Sequence, residues 1–356
     1  MAIQSDQTVK RLLLVRTSAI GDVVFASPFA AAVKRTWPNC HVAWMVEPGI
    51  HELLTADPCI DELILWPKAE WKRLWKEKRF AALFERVRDF RRALRARRFD
   101  VAIDMQGLLK SGLLTWTSGA RRRIGLGSRE GSQWLMTEVV KRGGIERRIS
   151  SEYLYLAEQL GLDVGEFLPR LCVADTTEAR VQALLAEHDL APGRYAVFAP
   201  FTTRPQKHWF EDAWQALGPK VRDAFGLTPV ILGGPADKEA ASRIASATPG
   251  MISLAGATRL PEAAALIRHA GLLVGVDTGL THMGTAFATP TVALFGSTCP
   301  YQDTGRPNGR VIWLGLPCSP CRRRPTCGGA YTCLRDISAE RVMAEARAAI
   351  AETHAT

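Results

Sequence analysis

The residues best suited to chemistry stand in the stretch Gly275-Val276-Asp277-Thr278-Gly279-Leu280-Thr281-His282-Met283-Gly284. The apolar residues Leu272, Leu273, Val274 and Val276 lead into it and read as a buried parallel strand. Small and apolar residues from Thr285 to Ala288 follow, stop at Pro290, and read as a short helix. Asp277, Thr278 and Gly279 thus sit where a strand hands over to a helix, and open α/β sheets bind ligands at such places. Gly279 lets a bound group approach the backbone, and the first free N–H groups of the helix are donors for an anion such as phosphate. Thr281 and His282 fall on the first turn, with side chains in reach of the same anion. The pattern also serves as a plain helix N-cap, and these ten residues alone leave both readings open.

A second group adds to the first. Thr202 and Thr203 offer hydroxyl donors in a polar loop after a strand, Lys207 adds a point charge, and Trp209 follows. With Thr278, Gly279 and His282 these suit a metal-free diphosphate. A departing diphosphate gathers negative charge, and fixed donors aimed at it lower the barrier. Lys207 alone reads equally as a surface lysine. Asp22, after Gly21 in the first strand-to-helix turn, is placed to take a proton from an incoming hydroxyl. By itself it reads as readily as part of a helix cap with Ser18. Cys318, Cys321, Cys327 and Cys333 crowd a loop rich in Gly, Pro and Arg. Four such thiols suit a structural zinc or cluster, although the spacings of five depart from paired Cys-x2-Cys; reduced thiols and a labile disulfide are the alternatives. Other chemistries lack their residues. There is no Gly-x-Gly-x-x-Gly after the first strand, no Walker A lysine, no Gly-x-Ser-x-Gly elbow and no Asp-x-Asp pair at a strand end.

The elements that would position these groups alternate. Strands are predicted at Arg11–Arg16, Val42–Val46, Ile60–Trp66, Val101–Ile103 and Arg123–Leu126, with helices at Val23–Arg35, Glu70–Phe99, Leu108–Trp116 and Glu152–Leu160. After a strand-like Arg170–Val173 and a helix Glu178–Glu187, the alternation restarts at Tyr195–Ala199. It runs on through strands at Pro229–Leu232, Ile252–Leu254 and Val292–Phe295 to a terminal helix at 338–352. This predicts parallel sheets covered on both faces, in two Rossmann-like doubly wound α/β domains. We place them at 1–175 and 176–337, with a C-terminal helix and tail at 338–356. If their ligand edges face each other across a cleft, Asp22 and Asp277 look at one another.

A chain of 356 residues, 47% hydrophobic and 23% charged, is long enough for two cores. The apolar run after Lys10 and Arg11 is cut by Arg16 and Asp22 too early for a signal peptide, and no stretch is long enough to span a bilayer. A cytoplasmic protein is expected. The net charge of +10 is uneven: residues 68–98 hold 13 Lys and Arg against 4 Asp and Glu. That favours an anionic partner, although much of Arg86–Arg98 reads as a solvated helix face. Aromatic residues are not interleaved as a base-stacking platform needs, so nucleic acid is not expected.

Four segments together resemble glycosyltransferase family 9, the ADP-heptose:lipopolysaccharide heptosyltransferases, and among them heptosyltransferase I most. They are Arg16-Thr-Ser-Ala-Ile-Gly-Asp22, Asp104-Met-Gln-Gly-Leu-Leu-Lys-Ser111, Thr202-Thr-Arg-Pro-Gln-Lys-His-Trp209 and Val276-Asp-Thr-Gly-Leu-Thr-His282. The resemblance implies a GT-B fold with the acceptor on the N-terminal domain and the nucleotide sugar on the C-terminal one. It implies inverting transfer of L-glycero-D-manno-heptose from ADP-heptose to a Kdo sugar of lipid A, with no cofactor in catalysis. Asp22 matches the base, and here the resemblance outweighs the cap reading. Thr202, Thr203, Lys207, Thr278, Gly279 and His282 match diphosphate positions, Asp277 the carboxylate that contacts the sugar, and Asp237 a residue that holds the ribose. Lys72, Arg73, Lys76 and Arg129 are similar in place to residues that meet the anionic acceptor at the cytoplasmic face of the inner membrane. The Cys-rich loop departs from the heptosyltransferase I pattern. A family member with another donor or acceptor, of the heptosyltransferase II kind for example, and a basic nucleotide-binding protein without turnover are the alternatives.

Overall fold

The computed structural model describes residues 9–145, 147–322 and 324–355, except the side chains of 354 and 355. It divides into two compact units, Met1–Glu146 with Ser150–Leu168, and Arg147–Ile149 with Pro169–Thr356. This division places the boundary a few residues before the expected 175.

The first unit contains β1 (Arg11–Val15), α1 (Ile20–Ala26), α2 (Pro28–Thr36), β2 (His41–Val46), β3 (Glu62–Leu65), α3 (Lys68–Lys76) and α4 (Phe80–Ala96). It continues with β4 (Val101–Asp104), α5 (Leu109–Thr117), β5 (Arg122–Leu126), β6 (Glu138–Val140) and α6 (Ser151–Gln159). The second contains α7 (Asp175–Glu187), β7 (Tyr195–Ala199), α8 (Glu211–Phe225), β8 (Thr228–Ile231), α9 (Lys238–Ser246), β9 (Ile252–Ser253) and α10 (Leu260–Arg268). It ends with β10 (Leu272–Val276), α11 (Gly279–Ala286), β11 (Thr291–Phe295), β12 (Gly309–Trp313), α12 (Thr332–Arg335) and α13 (Ala339–Ala355).

Each unit holds a six-stranded sheet, ordered β3-β2-β1-β4-β5-β6 in the first and β12-β11-β10-β7-β8-β9 in the second. All pairings are parallel. Read from the second unit's own first strand, the two orders are the same. The direction of winding reverses between β1 and β4, and again between β7 and β10. At such a reversal the two flanking helices turn to opposite faces, and the strand ends between them are left open for a ligand. Central strands covered on both faces must be apolar throughout: Leu12–Val15 and Leu272–Leu273 are fully buried. One core joins Leu13, Val15, Ala43, Met45, Leu94 and Ala102. The other joins Phe198, Trp214, Leu217, Val274 and Leu294.

Several expected elements differ. The helix expected over 23–35 is two, α1 and α2, because Pro28 opens a new helix and offers no N–H to the old one. The helix expected over 70–99 breaks between α3 and α4, where Lys78 has φ 56°. No strand forms at 170–173; that stretch is an irregular connection. β6 and β12 lie at sheet edges, half-buried and polar enough to have escaped the apolar-run criterion. The terminal helix is no separate appendage: Val342, Met343 and Ala346 of α13 complete the second core. Among the described residues no helix is long and apolar enough to cross a membrane.

Two glycines let α11 lie close on its sheet. A methyl at Gly284 would overlap Thr291 Oγ1 and Leu273, and one at Gly275 would overlap Thr281 Oγ1 and sit 2.9 Å from the Ala199 Cβ. Gly284→Ala is therefore expected to cost about 1–3 kcal/mol in urea unfolding. Gly49→Ala, which meets nothing within 4 Å, is expected to stay within about 0.5 kcal/mol. Equal effects of the two would show that α11 is not tightly seated.

Candidate active site

In the second unit the two loops at the winding reversal are those that follow β7 and β10. The pairing of Ala199 with Gly275 brings them side by side. Lys207 ends a 3-10 turn, Pro205–Lys207, and its Nζ lies 2.5 Å from Asp277 Oδ2. His282 Nε2 is 3.2 Å from Asp277 Oδ1. A third donor, the Thr298 hydroxyl from the turn after β11, reaches Oδ2. Sequence reasoning missed Thr298. Its only trace was the Gly296-Ser297-Thr298 turn after an apolar strand.

The Asp277 side chain is 11% exposed, that of Lys207 17% and that of His282 4%. Burial alone would push the pKa of Asp277 up. The hydrogen bond and charge of His282, and then those of Lys207, outweigh it and hold Asp277 well below the usual carboxylate range. On its other side the His282 ring has Nδ1 2.9 Å from the hydroxyl of buried Tyr301. Nε2 thus faces Asp277 while the Tyr301 hydroxyl occupies Nδ1. Burial, and next the Asp277 charge, push the Tyr301 pKa far up, so its proton stays on the phenol. Tyr301 was also missed, because nothing local to 301 marks it.

Thr278 is the extended residue before α11, and Gly279 is its first residue. The N-terminal N–H groups of α11 therefore open at the same strand end as Lys207. Thr202 and Thr203 stand in the loop that carries Lys207. His208 Nε2 holds this loop, 2.7 Å from Thr202 O and 3.3 Å from Thr202 N. Thr281 is not part of the site: it is fully buried and its hydroxyl donates to Val276 O at 2.6 Å. Trp209 is a core residue, its ring 4.9 Å from that of Trp214 and its Nε1 donating to Ile337 O. Asp237 ends the 3-10 turn Pro235–Asp237 in the loop after β8, a strand that lies two places from β10, roughly 10 Å along the sheet edge. Its Oδ2 accepts from Gly234 N–H at 2.8 Å.

The structural metal expected at the cysteines finds no support. All four thiols are free, and among the described residues no group of three or more His, Cys, Asp or Glu is arranged to hold a metal ion. Cys333 is packed into the second core, where burial first and the neighbouring thiols next push its pKa up to about 11. The loop has packing work instead: Arg322 O accepts from Gln206 and Arg322 N–H donates to Ser297 O, which ties it to the Lys207 turn.

In the first unit the reversal point lies between β1 and β4. Asp104, fully buried at the end of β4, accepts from Gln106 N–H, Gly107 N–H and the Ser111 hydroxyl. Burial still raises its pKa, the N–H groups and hydroxyl offsetting only part. Gln106 Oε1 in turn takes the Thr17 hydroxyl at 2.9 Å, which locks the loop after β4 to the loop after β1. Asp22, on the first turn of α1, accepts from Ala19 N–H at 3.1 Å and pairs with Arg16 at 2.6 Å. Its side chain is 43% exposed, whereas that of Arg16 is 8% exposed. The carboxylate is thus both a local cap and a solvent-facing acid held by a buried cation. Arg129, whose N–H donates to Gly107 O, is near the same turn. Lys72, Arg73 and Lys76 lie exposed further along α3. Sequence reasoning left out Lys110, which stands inside the Asp104–Ser111 segment. Burial, and next the charge of Lys68, lower its pKa. A cation crowded by cations and partly desolvated is a receptor for anions.

The model of glycosyltransferase family 9 (heptosyltransferase) matches residues 87–331. Lipopolysaccharide heptosyltransferase 1 of Pseudomonas aeruginosa is 31% identical over 331 residues, 89% of this chain and 87% of that protein. The glycosyl transferase family 9 structure from Veillonella parvula superposes with a TM-score of 0.84 at 22% identity, covering 99% of this chain and all of that one. The Escherichia coli heptosyltransferase WaaC, solved with ADP-2-deoxy-2-fluoro heptose, gives a TM-score of 0.71 at 26% identity, covering 94% and 98%.

One outcome follows from the Asp277 cluster. A carboxylate whose folded pKa is depressed stabilises the fold above the unfolded value of about 3.9 and loses that stabilisation as the pH falls through the folded value. Asp277→Asn is expected to lose about 3 kcal/mol at pH 7, since it strands the Lys207 ammonium. The gap to wild type should hold between pH 5 and 8 and narrow below pH about 4 in equilibrium unfolding. A gap that grew towards low pH would refute the assignment.

Proposed function

This chain belongs to glycosyltransferase family 9 and is a glycosyltransferase, and from that premise we propose that it moves L-glycero-D-manno-heptose from ADP-heptose to a Kdo sugar of the lipopolysaccharide inner core, with inversion. The donor binds at the β7–β10 reversal point. Lys207, the hydroxyls of Thr202, Thr203 and Thr278, and the N-terminal N–H groups of α11 from Gly279 hold the diphosphate. Asp237 holds the ribose. Asp277 contacts the sugar and keeps Lys207 and His282 aimed. The observation that carries this reading is the Lys207–Asp277–His282 cluster at the mouth of α11, which sets a paired cation beside the free N–H groups of a helix N-terminus, where an anion fits.

Asp22 takes the proton of the acceptor hydroxyl as its oxygen attacks the anomeric carbon. The bond from that carbon to the diphosphate oxygen breaks, and its electron pair leaves with ADP. Lys207 and the helix N-terminus stabilise the charge that gathers there, so no metal is needed in the step. Lys72, Arg73, Lys76 and Arg129, joined by Lys110, meet the carboxylates and phosphates of the acceptor. The enzyme works in the cytoplasm, in peripheral contact with the inner membrane where the acceptor lies. A family 9 transferase with another donor or acceptor remains the second reading, favoured by the Cys-rich loop.

Three outcomes test this. Asp22→Asn is expected to lower kcat by about 10²–10⁴ while ADP-heptose affinity stays within about twofold. Lys207→Ala is expected to weaken ADP-heptose about tenfold or more in calorimetry, and raised salt should shrink the difference. Release of ADP should require a Kdo-bearing acceptor and persist in a chelator. Unchanged turnover in Asp22→Asn, or unchanged donor affinity in Lys207→Ala, would overturn the corresponding role.

A further inference from the structure

Beside the cations Lys72, Arg73 and Lys76, assigned above to the acceptor, the corner between α3 and α4 carries aromatic rings and two further cations, Lys78 and Arg79, to which the transfer chemistry gives no role. Residues 75–81 are exposed without a break, so the whole corner faces solvent. Three large aromatic rings stand on it: Trp75 is 64% exposed, Phe80 52% and Phe84 70%. They are not spare core. The inward face of the same two helices is already supplied by Leu74 and Leu94, with Trp71 and Phe90 packed ring to ring at 5.4 Å. The exposed rings form a group of their own. Trp75 and Phe80 meet edge to face at 5.3 Å, and Phe84 follows Phe80 one helical turn on.

The charge around the rings is one-sided. Residues 72–80 carry five Lys and Arg against a single acid, Glu77. That acid is engaged from both sides, by Arg73 at 3.9 Å and Arg79 at 3.4 Å. Exposed aromatics cost hydrophobic free energy in water, and a soluble monomer seldom gathers three of them at one corner. A ring cluster framed by long cations fits a bilayer interface. Trp and Phe enter the boundary between headgroups and acyl chains, while Lys and Arg reach back to lipid phosphates.

We propose that the α3–α4 corner is an interfacial anchor for an anionic lipid bilayer, with Trp75, Phe80 and Phe84 as the inserted group and Lys78 and Arg79 among the cations against lipid phosphates. This rests on, and gives a surface to, the peripheral membrane contact proposed above. It assigns these residues to lipid and not to donor or catalysis.

The test is flotation of the full chain with vesicles of phosphatidylcholine, with or without 30% phosphatidylglycerol (about that fraction suffices to charge the surface). Wild type should partition at least about tenfold better onto the anionic vesicles, and less as salt rises. Trp75→Ser with Phe84→Ser should lose about tenfold or more of that binding. Lys78→Gln with Arg79→Gln should lose roughly fivefold per cation. In parallel, the Trp75/Phe84 double variant should match wild type within about twofold on a deacylated, water-soluble acceptor, since the anchor serves only lipid. Thermal midpoints should match because the side chains are exposed. Failure of wild type to float, flotation of either double variant equal to that of wild type, or flotation only when the vesicles hold the sugar-bearing acceptor lipid would each overturn the anchor. Loss of transfer to the soluble acceptor in wild type would instead sink the proposed reaction and leave the vesicle result standing.

Discussion

The buried carboxylate of Asp277 is the constraint on which the second unit's strand edge depends. A buried charge is tolerated only when it is paired and hydrogen-bonded. Asp277 meets that condition with groups from three separate segments: Lys207 after β7, His282 on α11 and Thr298 after β11. Satisfying one charge therefore pins three loops. The same need explains why Tyr301 is buried behind His282, since it occupies the ring nitrogen that Asp277 does not. Small residues make this possible. Gly275 and Gly284 let α11 lie low on the sheet, which brings His282 within reach of the carboxylate at the end of β10.

The first unit solves a similar problem with the opposite result. Its buried carboxylate, Asp104, is satisfied by its own turn and by Ser111, so it holds shape and is closed off from chemistry. Its buried cation, Arg16, leans outward to Asp22, and Asp22 keeps close to half its surface in water. The acid available to a substrate is thus the exposed member of the pair. The same unit carries a run of cations, with 13 Lys and Arg against 4 Asp and Glu over residues 68–98, and Lys110, whose pKa burial first and Lys68 next lower. That imbalance is what an anionic sugar acceptor would exploit.

Much of this was legible in the sequence. The apolar runs Leu12–Val15 and Leu272–Val276 announced buried parallel strands, and the alternation with helices announced doubly wound sheets. Asp22, Lys207, Asp277 and His282 were each picked out at a strand end. The misreadings share a cause. Helical periodicity continued across Ser27-Pro28 and across 77–79, so two breaks in the chain were read through. Arg170–Val173 alternates like a strand but has no neighbour to pair with. The four cysteines lie close together in one Gly-, Pro- and Arg-rich loop of the sequence, yet the fold buries Cys333 in an apolar core and leaves Cys318 exposed.

The sequence by itself determined which residues end strands and start helices, because side-chain period and turn chemistry act over a few neighbours. It also carried the family likeness, since four short segments in order are enough to mark it. Only the tertiary structure decided which strand ends stand together. The pairing of β7 with β10 joins residues some seventy positions apart, and a pattern of local preferences holds no record of that contact. For the same reason Thr298 and Tyr301 entered the site unannounced, since the loop after β11 meets Asp277 and His282 only once the sheet is formed, and Thr281 left it because its face of α11 packs against the core.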